Sequence, residues 1–309
     1  MSRRGWSWAG LLLLHAMLFA GAWLLPNDAT VQFRSDLDLK PSLPSLLGSE
    51  GELTVLARSE GEWRRARLRL FCRGPALFCV DEPLRFFPLG TDSLGRDRLS
   101  RIARGGLISL TIATGATALS LGIGLLTGLL AALGNSWLGA ALTLIVDVGR
   151  SLPWLLLVLA LRAQRPLQMA AWESVAFLIL ILGLGGWFST SRLVRMRALQ
   201  ALAEPWAEAA RGLGLSRVRI GLTHVSPHLR PVLVAQGLAL VPAFVLAETS
   251  LSFLGLGIAD PLVSWGSLLA ELRYRDVILS RQGAAFVLLP LLLVNLAYLW
   301  TAKSSRSTH

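Results

Sequence analysis

Side chains suited to catalysis or metal binding are few in this 309-residue chain. The four histidines, His15, His224, His228 and His309, and the two cysteines, Cys72 and Cys79, form no Cys/His cluster of metal-site spacing and no nucleophile–base set. The sequence also lacks a GxxxxGK[ST] phosphate loop, so any ATP used with this protein belongs to another chain. The expectation is a chain with no catalytic residue, no metal and no cofactor of its own.

The densest group of polar residues points to a mechanical role. The stretch "AEPWAEAARGLGLSRVRIGLTHVSPHLRP", residues 203–231, carries four arginines, two glutamates, two histidines and three prolines between apolar flanks. It reads as two short helices around a glycine break. Pro205 suits a first helical position, and Gly212 and Gly214 can end the helix over Trp206–Leu213. Ser216 can cap a second helix through Val225, which Pro227 stops. Neither helix is long or apolar enough to be stable alone in water. On the residues alone, a docking elbow and a loop lying on the membrane surface both stay open.

The elements that must hold this stretch are apolar. Hydrophobic residues make up 53% of the chain and charged residues only 16%, against about 25% charged in a soluble domain. Six runs approach the ~20 residues a spanning helix needs: 6–25, 107–133, 138–161, 167–188, 232–248 and 284–300. The first has a rival reading as a cleaved signal peptide, with Arg3 and Arg4 ahead of it and Ala20-Gly21-Ala22 as a small-residue site. An uncleaved anchor is favoured, because the run exceeds a usual h-region and five more spans follow. The net charge of +11 reflects basic residues beside apolar runs, which argues for membrane orientation and against nucleic acid. Residues 189–230 hold seven basic side chains against Glu204 and Glu208, which puts this stretch and both termini on the cytoplasmic side.

These runs divide the chain into a membrane anchor (1–26), an extracytoplasmic segment (27–106), a five-span core (107–301) and a short cytoplasmic tail (302–309). In the external segment, "GELTVLAR" and "RARLRLFC" alternate in the manner of short strands. Cys72 and Cys79 bracket "RGPALF", and a disulfide or two unpaired thiols are both open there. Asp147 and Arg150 stand i,i+3 in the third run; they can form a pathway or gate pair, or a plain ion pair at a helix end. Glu248, at the end of the fifth run, has the same two readings. His15 reads as a helix-packing residue, and Gly122, Gly124 and Gly128 as a surface for close helix packing.

Glu208-Ala209-Ala210, then Gly214, then His224-Val225-Ser226-Pro227, resemble the EAA loop of ABC importer permeases, and more narrowly the second-permease branch of the dipeptide/oligopeptide/nickel family. The resemblance extends over residues 88–300 through "GTDSLGRDRLSRIARGGLISL" (90–110), "VDVGRSLP" (146–153), "WFSTSRLVRMRALQAL" (187–202) and "ETSLSFLGLG" followed by "PLVSWGSLL" (248–257, 261–269). Ser226 and His228 depart from the family's usual Leu and Asn, and the tail after Asn295 lacks its usual ending. The resemblance implies an all-α polytopic protein of the bacterial cytoplasmic membrane: six transmembrane helices in the type I ABC importer fold, with a small external insert after the first. It implies a coupling helix at 204–214, with Glu208, Ala209, Ala210, Gly214, His224 and Pro227 as coupling-loop residues. The implied partners are a second homologous permease, two ATP-binding cassette subunits that hold ATP and Mg, and an extracytoplasmic solute-binding protein. Short peptides lead as substrate, with nickel chelates or another small solute next. A stand-alone secondary transporter is the alternative from another class, and it would call for inverted repeats that the sequence does not display.

Overall fold

Inside a lipid bilayer every backbone N–H and C=O must be satisfied within its own segment, so long apolar runs of Leu, Ala and Gly fold as helices. The computed structural model describes residues 3–25, 27–39, 54–59, 62–70, 78–80, 84–164, 170–258, 261–272 and 277–306. In chain order these form α1 (Arg3–Leu24), β1 (Thr54–Ser59), β2 (Glu62–Arg67), β3 (Arg69–Leu70), β4 (Phe78–Cys79), α2 (Arg98–Leu133), α3 (Ser136–Ser151) and α4 (Trp154–Ala163). Then follow α5 (Ala171–Leu202), α6 (Pro205–Gly212), α7 (Arg217–Ile220), a π turn (Gly221–Val225), α8 (Ser226–Phe253), α9 (Trp265–Glu271) and α10 (Val277–Arg306).

Among the described residues, four segments are long and apolar enough to cross a membrane: Arg98–Leu133, Ala171–Leu202, Arg217–Phe253 and Ala285–Ser305. They contain the expected runs at 107–133 and 232–248, most of 284–300, and most of 167–188. The expected span at 138–161 is two helices instead. Pro153 forces Leu152 out of the helical region (φ −71°, ψ 136°), and α4 starts afresh beyond it. The apolar stretch of α1, Leu11–Leu24, is shorter than the four. His15 in α1 turns its Nδ1 to its own helix, 2.8 Å from the Leu11 carbonyl oxygen.

Two units make up the chain, one of Met1–Trp8, Ser109–Ala259 and Leu292–His309, the other of Ala9–Ile108 and Asp260–Leu291. In the first, α2 and α5 approach so closely that a Cβ on Gly128 would lie 2.6 Å from the Ser191 carbonyl oxygen, and one on Gly124 would collide with Thr190. Ser120 Oγ donates to the Gly183 carbonyl at 2.8 Å across the same seam. Gly122 differs from its two neighbours in the expected packing surface: nothing lies within 4 Å of its Cβ position.

The second unit is built on charge and a small β insert. The alternating segments pair as a β1–β2 antiparallel ladder, and β3 pairs with β4. Val55, Ala57, Ala66 and Phe86 form the insert's core. Cys79 closes β4, while Cys72 lies outside the described residues. At the head of α2, Asp97 accepts from Leu99 N–H at 3.1 Å, Ser100 Oγ at 2.8 Å and Asn27 Nδ2 at 3.1 Å. Burial nevertheless raises its carboxyl above the ordinary aspartate value, since desolvation outweighs those donors. Asp92 takes Arg96 Nε at 2.7 Å and buried Arg101 at 3.0 Å, and Arg101 also pairs with Glu271 of α9. The indole of fully buried Trp265 donates to the Ile102 carbonyl at 3.0 Å; a side chain on Gly106 would meet that ring at 2.6 Å.

Candidate functional site

Glu204 stands in extended backbone (φ −72°, ψ 149°), and Pro205, with no N–H to leave unsatisfied, opens α6. The helix ends in a Schellman turn. Gly214 N–H donates to the Arg211 carbonyl at 2.9 Å and Leu215 N–H to the Ala210 carbonyl at 3.2 Å, with Gly214 at φ +81°. Ala207 and Ala210 point into the interior, whereas Glu208, Ala209, Arg211 and Gly212 are exposed. The Glu-Ala-Ala triad is therefore split: Ala210 serves the chain's own packing, and Glu208 and Ala209 face outward.

The second half of the elbow departs from the expected helix that stops at Pro227. Ser216 does cap α7, accepting from Arg219 N–H at 3.3 Å. The chain then winds through the π turn, where Ser226 N–H reaches back to the Gly221 carbonyl, and continues without interruption into α8. Proline removes a backbone donor. Ser226 Oγ supplies one in its place, donating to the Leu222 carbonyl at 2.8 Å. A serine that looks like a departure from the family pattern thus carries the helix past the proline.

Behind the elbow lies a core drawn from six elements: Ala132 of α2, Val194, Ala198, Ala201 and Leu202 of α5, Ala210 of α6, Ile220 of α7, then Val225 and Leu229 at the π turn and the head of α8. Half-buried Trp206 packs on it and stacks on two imidazoles, His224 at 6.0 Å and 27° and His228 at 5.8 Å and 12° between rings. Thr223 Oγ1 lies 2.6 Å from His224 Nδ1. His224 and Pro227 therefore belong to the elbow's own framework, with His224 still solvent-exposed.

The charged residues of the membrane segments separate. Asp147 pairs with Arg192 of α5 at 3.5 Å, across helices, in place of the expected partner Arg150. Gly149 explains the reach, because a Cβ there would collide with Phe188; α3 lies directly on α5. Beside this pair is a cavity of about 250 Å³ lined by Ala131, Thr143, Asp147, Ser191, Arg192 and Arg195. Glu248 is fully buried, accepting from Ser109 Oγ of α2 at 2.8 Å and from Ser252 Oγ at 2.6 Å. The structure brings neither Arg150 nor Glu248 to that cavity's lining. Among the described residues, no group of three or more His, Cys, Asp or Glu is placed to hold a metal.

Sequence reasoning missed Trp206, Arg192 and Ile220. The first left a signal, a tryptophan one residue after a helix-opening proline with histidines four apart downstream. Arg192 left none, since its partner is 45 positions away in sequence, at Asp147.

Comparison with known proteins bears on the chain's family and fold. The family model described as "Binding-protein-dependent transport system inner membrane component" matches residues 124–306. A protein of Brucella suis biovar 1 (strain 1330) bearing a provisional peptide-permease name is 34% identical over 189 residues, 61% of this chain and 61% of its own length. The oligopeptide transport system permease protein OppC of Mycobacterium bovis is 35% identical over 183 residues, 59% of this chain and 62% of its own. OppC of Escherichia coli (strain K12) is 32% identical over 182 residues, 59% and 58% of the two chains. The chain thus spans less than two thirds of the length of these relatives. A chain of the MetNI methionine ABC transporter in inward-facing conformations superposes with a TM-score of 0.50 at 17% identity, over 66% of this chain and 96% of that one, which is a likeness of fold.

Proposed function

This chain belongs to the family of binding-protein-dependent transport system inner membrane components, and on that footing we propose that it is the permease subunit of an ATP-driven importer of short peptides. It is a multi-pass membrane protein. In this reading it has six spans, the β insert lies outside, and both termini are cytoplasmic. A second permease, two ATPase subunits holding ATP and Mg, and an external solute-binding protein complete the machine, and this chain contributes no ATPase site.

The observation that carries the reading is the two-sided elbow. Glu208 and Ala209 face outward on α6, and the opposite side, through Ala210, is buried in the core that joins α5 to α8. A helix seated in a groove of an ATPase transmits any displacement through Ala210, Ile220 and Val225 directly to two membrane-crossing helices. Charge and size at Glu208 and Ala209 govern the fit.

Co-purification from native membranes tests this. The wild type is expected to bring down an ATPase and a second permease. Glu208→Arg with Gly214→Asp is expected to lose the ATPase and keep the permease. Absence of an ATPase from the wild-type preparation overturns the proposal.

A further inference from the structure

The cavity beside Asp147 is unevenly charged. Two guanidinium groups, of Arg192 and Arg195, line it against one carboxylate. Asp147 is taken up by Arg192 at 3.5 Å. Arg195 forms no ion pair among the described residues, and its Nε is buried with no hydrogen-bond partner. The acidic side chains of this unit are Asp147, Glu173, Glu204, Glu208 and Glu248, all of them described, and Asp147 alone reaches the lining. A buried cationic donor without a counter-charge is costly, so the arrangement calls for an anion. The volume, about 250 Å³, far exceeds the ~10–15 Å³ that one water needs.

The surroundings give that anion a tail. Arg192 and Arg195 follow Phe188, the last residue of the apolar run at 167–188, by four and seven positions, roughly 6 and 10 Å along α5. Ala131 lies two residues from the end of α2. The charges thus stand at the elbow end of these helices, next to where the apolar level begins. On their far side Gly149 lies against Phe188, and Val148 and Leu152, one turn apart on α3, are exposed. We propose that this cavity holds the phosphate of an anionic phospholipid from the cytoplasmic leaflet, with its acyl chains along Val148 and Leu152. The inference rests on the function proposed above for which side is cytoplasmic. That leaflet carries a negative surface potential, and basic pockets between transmembrane helices on that side take anionic headgroups. A zwitterionic lipid or a free peptide fits less well, because its ammonium group would meet a cavity that already has a cation in excess.

The test uses the complete transporter, purified in detergent and titrated with dioleoylphosphatidylglycerol or dioleoylphosphatidylethanolamine. Bound lipids are counted by native mass spectrometry. The wild type is expected to hold phosphatidylglycerol about tenfold more tightly, and Arg195→Ala to weaken that binding by about tenfold, the size of one lost charge-assisted contact. Arg195→Lys should keep most of it. Asp147→Asn should tighten phosphatidylglycerol binding, since it frees Arg192, and a variant that merely folds badly cannot show that gain. Equal affinity for the two lipids, or phosphatidylglycerol binding indifferent to both Arg195→Ala and Asp147→Asn, would overturn the site. So would displacement of the lipid by trialanine, which points to cargo, or equally tight binding of inorganic phosphate, which points to a free anion. The ATPase is scored in the same spectra, so failure of the permease reading is separated from failure of this one.

Discussion

Ser109 Oγ on α2 donates a hydrogen bond to Glu248 on α8 at 2.8 Å, so a carboxyl sealed from solvent joins two long helices. Ser252, one turn further along α8, holds the other carboxyl oxygen at 2.6 Å. This arrangement is a clamp. Ser109→Ala is expected to destabilise the purified protein by about 1–3 kcal/mol, the cost of leaving a buried acceptor short of a partner. Glu248→Ala should cost more than Glu248→Gln, which keeps an acceptor for one serine. Thermal unfolding in detergent checks the order; equal melting of all three variants and the wild type would remove the clamp.

Asp147 and Arg192 should couple more strongly than Asp147 and Arg150. Both partners of the observed pair are about half exposed, so the coupling is expected at no more than about 1 kcal/mol. Two double-mutant cycles, 147 with 192 and 147 with 150, decide it. A larger value for the second cycle would contradict the cross-helix pairing.

The seam between α2 and α5 makes three glycines unequal. Gly124→Ala and Gly128→Ala place a methyl group against Thr190 and against Ser191 and Val194, and each should cost about 1–3 kcal/mol. Gly122→Ala meets nothing within 4 Å, so the better helix propensity of alanine should leave it neutral or slightly stabilising. Melting temperatures of the three variants provide the comparison.

Ser226 and Pro227 should be interdependent. Ser226→Ala deprives the Leu222 carbonyl of its side-chain donor and is expected to loosen the elbow, seen as faster proteolysis between residues 211 and 222. In a Pro227→Ala background the backbone N–H returns, and the same serine change should matter much less. Gly214→Ala is a separate strain: its φ of +81° costs an alanine about 1–2 kcal/mol even though the space around it is open.

Asp97 gives the second unit a pH dependence of defined sign. Its folded carboxyl titrates above the ordinary value of 3.8 because it is buried. Between 3.8 and that raised value the folded state binds more protons than the unfolded one, so stability from this group falls as pH rises through the window. Asp97→Asn should flatten that part of the melting-temperature profile while keeping an acceptor for Leu99 N–H. An unchanged slope in the variant would refute the assignment.

Much of the helical frame is legible in the sequence because lipid leaves few choices: apolar runs such as 107–133 and 232–248 have to be helical. The first half of the elbow is legible for local reasons, since Pro205, Gly214 and Ser216 each act on their own backbone. Three features depend on tertiary neighbours and are not. Whether Pro227 stops a helix turns on a hydroxyl one residue away. The partner of Asp147 turns on Gly149 letting α3 onto α5. The inward turn of Ala210, against the outward Ala209, turns on the core beneath α6, which no short window of sequence contains.

Two routes lead from α6 into α8, one through packing and one along the chain. Toward α7 the connection is Gly214, with open space around it and two backbone hydrogen bonds closing the turn. Beyond it, α7, the π turn and α8 run without a break from Arg217 to Phe253, 37 residues or roughly 55 Å at 1.5 Å per residue. On the reading proposed above, a pull on α6 would reach the far end of that run, where Glu248 is buried, both through the core that holds Ala210, Ile220 and Val225 and along the chain itself.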